Sequence, residues 1–199
     1  MYSLVPGVGL VLASASPRRR EMLGSLGLTI RLAPSHIDES LLPGEKAEAA
    51  AQRLAAAKAA AVATGPYDTV LAADTLVVLG GDIMGKPQDA AEAAAMLRRL
   101  SGAQHEVITG YCLRNESWHK EGMGRSLVTF RQLSEAEIAA YVATGEPLDK
   151  AGAYAVQGLG GALVKEVSGS YTNVVGLPLA AVIELLLRQG LIRPQGAAS

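Results

Sequence analysis

Hydrophobic and polar residues near the start of the chain are arranged as a strand followed by a helix. Residues 10–13 form a short apolar run of the length of a buried strand. Ser16 and Pro17 then read as an N-cap and a first helical residue, and Gly27 is a stop signal. This segment predicts a strand, a turn and a helix N-terminus. Backbone N–H groups and the positive end of the helix dipole would gather at that turn, which suits an anion.

Three arginines occupy the first turn of the predicted helix, where acidic residues are normally favoured. Arg19 falls at the centre of the apolar stripe of the helix and Arg18 at its edge, whereas Arg20 falls on the opposite side. Two guanidinium groups would therefore lie at the mouth of the turn. The pattern favours a phosphate pocket of N–H groups, serine hydroxyls and arginines. The alternative is a solvated basic turn.

The rest of the chain continues to alternate between helical and extended patterns. An alanine-rich helix is predicted over 46–63, with Lys58 on one apolar line with Leu54 and Val62. A lysine at such a position either extends to water or points into a cleft. Further helices are predicted over 90–100, 134–145 and 178–187, and further strands over 69–79, 83–84, 104–113, 126–133 and 162–167, with a polar hairpin over 115–124.

Asp74 lies inside the most strand-like run of the chain, residues 69–79. A carboxylate buried there is unfavourable unless it is paired, hydrogen-bonded or bound to a metal. Either the strand breaks at Asp74 and Thr75, or Asp74 is a ligand or a base. Both interpretations place it at a strand end, where sites form in α/β proteins. The following loop, 85–87, could return Lys86 toward Asp74.

Composition and charge limit the classes of protein to which this chain can belong. Of 199 residues, 49% are hydrophobic but only 4% aromatic, which predicts an aliphatic core in one domain over 1–190, with a flexible tail over 191–199. A net charge of -1 gives no reason to expect nucleic acid or an anionic membrane as a partner. A single cysteine, Cys112, excludes an internal disulfide and fits a reducing compartment. Since no secretory signal or membrane-spanning segment is visible, we expect a cytoplasmic protein.

The candidate chemistry is carried by a few charged residues outside the arginine turn. The chain has no Gly-x-x-x-x-Gly-Lys-Ser/Thr phosphate loop. It does place isolated carboxylates at Asp38, Glu39 and Asp74, and lysines at Lys58 and Lys86. Together with an anion pocket, these residues suit metal-assisted hydrolysis of a polyphosphate, with Mg²⁺ or Mn²⁺ held by carboxylates. Taken alone, each carboxylate is better interpreted as a loop cap or a surface charge, and only its occurrence together with the arginine turn favours the metal-binding role.

Seven segments, in order along residues 10–187, carry a recognisable family pattern. They are Ala13-Ser-Ala-Ser-Pro-Arg-Arg-Arg-Glu21, Ala73-Asp-Thr75, Gly85-Lys-Pro87, Leu148-Asp-Lys-Ala-Gly-Ala-Tyr154, Gln157-Gly-Leu-Gly-Gly161, Gly169-Ser-Tyr171 and Val175-Gly-Leu-Pro178. Together they resemble the Maf family, the septum-formation-associated nucleoside triphosphate pyrophosphatases. The resemblance implies a mixed α/β fold of the Maf and inosine-triphosphatase type: an elongated, twisted mixed sheet flanked by helices, with two lobes around a central cleft.

The resemblance also implies an activity: hydrolysis of a nucleoside triphosphate to the monophosphate and pyrophosphate with a divalent cation, in a homodimer. Asp-Thr at 74–75, in place of Asp-Gln, is similar to the branch that prefers dTTP and UTP over 7-methyl-GTP. Two alternatives stay open. One is a nucleotide-binding regulator of cell division in which turnover is incidental, and the other is the same chemistry on another base, such as that of ITP or XTP.

Individual residues match functional positions of the family. Asp74 matches the catalytic proton acceptor, and Glu39 together with Asp74 matches the metal-side carboxylates. The phosphate-contacting positions correspond to Ser14, Ser16, Arg19, Lys58 and Lys86, and the positions associated with base choice to Arg18, Thr75 and Gln157.

Overall fold

Residues 1–196, the part of the chain that the computed structural model describes, contain nine β-strands and six α-helices. The strands are β1 (Tyr2–Leu4), β2 (Gly9–Leu12), β3 (Arg31–Leu32), β4 (Asp68–Leu79), β5 (Asp82–Met84), β6 (Gln104–Arg114), β7 (His119–Phe130), β8 (Val164–Ser168) and β9 (Ile192–Pro194). The helices are α1 (Pro17–Gly24), α2 (Ala47–Ala60), α3 (Ala90–Leu100), α4 (Glu135–Ala143), α5 (Tyr171–Val175) and α6 (Leu179–Arg188). Short 3₁₀ turns fill much of the stretch between α4 and β8. Among the described residues, no helix combines the length and the hydropathy needed to cross a membrane.

Seven of the strands form one mixed sheet in the order β3-β2-β4-β6-β7-β8, with β5 paired to β4. β2 runs parallel to both of its neighbours, whereas β5 and β8 pair antiparallel with β4 and β7. Val11 and Val70 are Cα partners in the β2–β4 ladder. The prediction of a mixed α/β fold with a mixed sheet and helices is confirmed.

The chain divides into two compact units, and the organisation of residues 1–190 as one domain stays a prediction. The first unit contains Met1–Asp74, Thr109–Gly124 and residues 176–196, and the second contains Thr75–Ile108 and Arg125–Val175. Each unit has its own apolar cluster.

Helix α2 packs very closely against β6 in the first unit. The apolar cluster there is built from small residues, among them Ala55, Ala59 and Ala72. At Gly110 of β6, an added Cβ would lie only 2.3 Å from the carbonyl oxygen of Ala51 in α2. The absence of a side chain at this position therefore sets how near α2 comes to the sheet.

The core of the second unit contains three rings packed edge to face. His105, Phe130 and Tyr154 have centroid separations of 4.8 to 5.4 Å. Nε2 of His105 lies 2.9 Å from the Tyr154 hydroxyl, and its Nδ1 has no hydrogen-bond partner among the described residues. Burial lowers the pKa of His105 to about 4, so the ring is neutral in the folded protein.

The end of the chain differs from our expectation of a flexible tail over 191–199. Ile192–Pro194 instead form β9, which pairs antiparallel with β1, and Val5 N donates to the carbonyl of Leu191 at 3.0 Å. Leu191 and Ile192 are buried, and this apolar burial explains why the strand forms. Residues 197–199 of the predicted tail lie outside the described residues.

The second half of the predicted polar hairpin is part of a strand. β7 begins at His119 rather than at residue 126, and only the turn before it lies outside the strands. Asn115 closes that turn by accepting hydrogen bonds from the backbone N–H groups of Ser117 and Trp118. The polar residues at the start of β7 remain largely exposed, which a strand with one solvated face tolerates.

Candidate active site

The turn between β2 and α1 is organised around the hydroxyl of Ser14. Ser14 is buried, and its Oγ accepts hydrogen bonds from the backbone N–H of Ser16 at 3.2 Å and from Arg19 Nη1 at 3.0 Å. Arg19 Nε donates to the carbonyl of Gly176 at 2.8 Å. Ser16 occupies the N-cap with Pro17 after it, as predicted, although the Ser16 side chain makes no capping bond. The guanidinium is thus held in place from two sides.

The arginines of α1 lie as their spacing predicts. Arg20 is exposed, while Arg18 and Arg19 are partly buried, and Arg18 Nε is a buried donor with no hydrogen-bond partner among residues 1–196. The pKa of the Arg19 guanidinium is lowered, mainly because the group is buried and also because Arg18 is near. The carboxylates of Asp74 and Glu39 act in the opposite direction and raise this pKa. Two cations and two carboxylates of the first unit therefore interact electrostatically, and arginine stays protonated in such surroundings.

Asp74 does not lie at a strand end, and that prediction is wrong. β4 continues unbroken from Asp68 to Leu79, and Asp74 is only 6% exposed. The strand continues past this buried carboxylate because α2 supplies a charged partner: Lys58 Nζ lies 2.5 Å from Asp74 Oδ1. A buried carboxylate is stable in a strand when a charged group is paired with it.

Lys58 joins two carboxylates. Lys58 is 8% exposed, and its neighbours on the apolar line, Leu54 and Val62, are 1% and 9% exposed. Of the two alternatives for this lysine, the one in which it extends to water is therefore wrong. Besides Asp74, its Nζ contacts Glu39 Oε1 at 2.8 Å, and the Glu39 side chain is half exposed. Lys58 therefore connects a buried charge with a charge that faces solvent.

The segment that carries Glu39 is fastened to α2. Arg53 binds the carboxylate of Glu45 through two nitrogens, both at 2.7 Å, and its Nη2 donates to the carbonyl of Ser40 at 3.1 Å. Asp38 accepts from the N–H and the hydroxyl of Ser40 at 2.9 and 2.6 Å, which lowers the pKa of Asp38. Asp38 is thus a loop cap, the alternative that we left open for it. The backbone beside Glu39 is fixed while the Glu39 side chain remains accessible.

Three of the predicted site residues belong to the second unit. Thr75 follows Asp74 directly in β4 and is half-buried. Lys86 lies in the loop after β5 and Gln157 in the turn before residues 159–163, and both side chains are exposed. Their membership of the site stays a prediction.

Glu146 is a residue that the sequence did not single out. Its carboxylate accepts hydrogen bonds from the Tyr141 hydroxyl at 2.7 Å and from the backbone N–H groups of Gly160 and Leu159 at 2.9 and 3.0 Å. Burial tends to raise the pKa of Glu146, but these hydrogen bonds and Lys150 outweigh it and hold the pKa below its ordinary value. Glu146 thereby fixes the backbone just after Gln157. Nothing in the local sequence distinguishes it from a surface glutamate.

The chain is similar to known proteins along most of its length. The chain is 55% identical over 192 residues to the dTTP/UTP pyrophosphatase of Anaeromyxobacter dehalogenans, covering 93% of this chain and 96% of that protein. It is 54% identical over 191 residues to the dTTP/UTP pyrophosphatase of Myxococcus xanthus, covering 95% and 96%. Among solved structures, a HAM1 protein from Coxiella burnetii has the same fold, with a TM-score of 0.52 at 17% identity over 91% of this chain and 99% of that one.

The sequence profile of the family described as Maf-like protein matches residues 9–189. That range includes the β2–α1 turn and the Lys58–Asp74 pair, so the match covers the candidate site as well as most of the fold. The chain belongs to the Maf family.

Proposed function

We propose that this protein hydrolyses dTTP and UTP to the corresponding monophosphate and pyrophosphate. The observation that carries the proposal is the buried carboxylate of Asp74. It forms an ion pair with Lys58 and interacts electrostatically with the Arg19 guanidinium. The names of the two relatives support the choice of substrate. A cytoplasmic homodimer is part of the proposal and rests on the resemblance and the composition.

The chain's residues divide the reaction between them. A water molecule attacks the α-phosphorus, the bond from that phosphorus to the α,β-bridging oxygen breaks, and pyrophosphate leaves. Asp74 accepts the proton that the water loses. Lys58, Arg19 and Lys86 neutralise the negative charge that accumulates on the departing phosphates, with Ser14 and Ser16 as hydroxyl donors.

The carboxylates fit a divalent cation. Glu39 and Asp74 both direct an oxygen at a single cationic nitrogen, so this pair already surrounds a positive charge. Among residues 1–196 there is no group of three or more His, Cys, Asp or Glu side chains suited to a metal, and Mg²⁺ commonly uses one or two carboxylates plus substrate phosphates. We therefore assign Mg²⁺ or Mn²⁺ to Glu39 and Asp74. Such an ion, when bound, polarises the phosphoryl oxygens and lowers the pKa of water.

We assign the selection of the nucleobase to Arg18, Thr75 and Gln157. The buried Nε of Arg18, which has no partner among the described residues, supports this role, because a bound nucleotide could accept its hydrogen bond.

A panel of triphosphates tests the substrate. Purified protein is assayed for pyrophosphate release from dTTP, UTP, 5-methyl-UTP, 7-methyl-GTP and ITP, with Mg²⁺ or Mn²⁺ present. We expect the highest kcat/KM for dTTP and UTP, with nucleoside monophosphate as the second product. Preference for 7-methyl-GTP would contradict the role given to Thr75, and release of orthophosphate would contradict the proposed bond cleavage.

Asp74→Asn tests the catalytic role. Loss of the proton acceptor should lower kcat by about 10²–10⁴-fold, the usual contribution of a general base. The amide keeps an oxygen that can accept from Lys58, so circular dichroism should show a folded protein. Asp38→Asn is the matched control, because it removes a carboxylate of the Glu39 segment that only caps a loop. It should leave kcat nearly unchanged.

A further inference from the structure

A single ammonium group stands between the two carboxylates assigned to the metal. Lys58 Nζ lies 2.5 Å from Asp74 Oδ1 and 2.8 Å from Glu39 Oε1. Because both hydrogen bonds come from one nitrogen, both oxygens are directed at the same place. A divalent cation shared by Glu39 and Asp74 would have to occupy that place.

Charge in this region is already compensated. Asp74 and Glu39 supply two negative charges, which Lys58 and Arg19 already balance. Arg18 and Arg53 add further positive charge nearby. A divalent cation that enters alone would also meet the Lys58 ammonium at close range. Like charges a few ångströms apart repel strongly at the effective dielectric constant of a protein surface, and a divalent ion doubles that repulsion. The carboxylate pair is therefore a poor site for a lone cation while Lys58 remains between its members.

The two contacts of Lys58 differ in how readily they can open. The contact with Asp74 is buried on both sides, whereas the Glu39 side chain is 50% exposed. Arg53 binds the carbonyl of Ser40 and so holds the backbone next to Glu39. Glu39 can consequently change its partner by rotating its side chain, with no movement of the segment that carries it.

We propose that Lys58 excludes divalent cations from the Glu39–Asp74 pair until a triphosphate binds. The inference rests on the proposed function, because a polyphosphate is the ligand that can release Lys58 from Glu39. Its oxygens give the ammonium another partner and also supply the ligands that two carboxylates lack. In the nucleotide-free protein, Lys58 thus acts as a placeholder that compensates the buried charge of Asp74.

Direct Mn²⁺ binding, measured by electron paramagnetic resonance without turnover, tests the inference. Nucleotide-free wild-type protein should bind Mn²⁺ weakly, and a non-hydrolysable α,β-methylene analogue of dTTP should make binding strong. Lys58→Met should bind Mn²⁺ without nucleotide at least about tenfold more tightly than the wild type. Lys58→Gln, whose amide can still donate to Asp74, should behave in the same way and provides a second variant if Lys58→Met does not fold.

Two controls separate the placeholder role from a general effect of charge. Lys46→Met removes an exposed lysine at the N-cap of the same helix and should leave Mn²⁺ affinity at the wild-type value. The double variant Lys58→Met with Asp74→Asn removes one of the two carboxylates and should lose the gain in affinity.

The inference is overturned if nucleotide-free wild-type protein binds Mn²⁺ as tightly as Lys58→Met, or if Lys46→Met tightens binding equally. Because no hydrolysis is measured, this result is independent of the substrate panel. A protein that hydrolyses dTTP yet binds Mn²⁺ tightly without nucleotide would refute the placeholder and leave the proposed function intact.

Discussion

At the residue scale, the geometry of Arg19 explains why an arginine occupies this position. Its Nε binds the carbonyl of Gly176 while its Nη1 binds Ser14 Oγ, so one planar group holds two separate parts of the chain. A guanidinium presents its five N–H donors in a rigid planar fork, a geometry that matches phosphate oxygens. A lysine has a single nitrogen and cannot reproduce this fork.

Arg19→Lys should therefore impair substrate binding although the charge is kept. Losing one hydrogen bond made by a charged group corresponds to about 1.5–3 kcal/mol, or about a 10- to 150-fold decrease in kcat/KM for dTTP. Steady-state kinetics measure this, with Arg20→Lys on the exposed side of the same helix as control. Equal effects of the two substitutions would contradict the assignment of Arg19.

Glu146 permits a second test at this scale. An amide in place of the carboxylate has only one acceptor oxygen, so Glu146→Gln leaves the N–H of Leu159 or Gly160 without its partner. We expect a loss of about 1–3 kcal/mol in the free energy of unfolding. If Gln157 contacts the base, KM should rise more than kcat falls. Chemical denaturation and kinetics measure the two effects, with the exposed Glu116→Gln as control.

At the scale of elements, local signals predicted five of the six α-helices of the described residues, and only α5 was not predicted. Asp89 accepts from the N–H of Glu92 at the start of α3, and Ser134 and Glu137 form a capping box at the start of α4. These interactions join residues three apart, so their pattern is visible in the sequence.

Features that depend on distant residues were not predictable in this way. The partner that keeps Asp74 inside β4 is on α2, and the partner of β9 is the strand at the opposite end of the chain. The hydrogen bonds of Glu146 likewise depend on a turn more than ten residues away. The family resemblance identified the candidate residues. Only the three-dimensional contacts show that Lys58 lies between Glu39 and Asp74.

The close packing of α2 on β6 can be tested by a substitution at Gly110. Gly110→Ala would place a Cβ 2.3 Å from the backbone of Ala51, so the helix must move away from the sheet. We expect a loss of about 1–3 kcal/mol in the free energy of unfolding, as in other overpacked sites. Because α2 carries Lys58, kcat/KM should also fall. In Gly24→Ala, the new methyl group has open space, so stability should be unchanged or slightly increased.

At the scale of the whole molecule, the buried His105 couples stability to pH. Its pKa is about 4 in the folded protein, against an ordinary value of 6.5, because burial disfavours the charged ring. Below pH 6.5 the unfolded chain binds a proton that the folded protein does not, so stability falls with falling pH until the folded pKa is reached. Above pH 6.5 the ring is neutral in both states and has no effect.

The expected loss from this histidine is about 3 kcal/mol between pH 6.5 and pH 4, at about 1.4 kcal/mol for each pH unit. Glu45 and Glu137, whose pKa values are held at about 2 mainly by hydrogen bonds from Arg53 and Ser134 respectively, change the stability only at lower pH, below about 4.5. The window from 6.5 to 4.5 therefore isolates His105. Urea unfolding across this range should show a shallower pH dependence in His105→Gln, whose amide can still bond to the Tyr154 hydroxyl. His119→Gln, which alters an exposed ring in β7, should retain the wild-type slope. An unchanged slope in His105→Gln would mean that another group couples stability to pH.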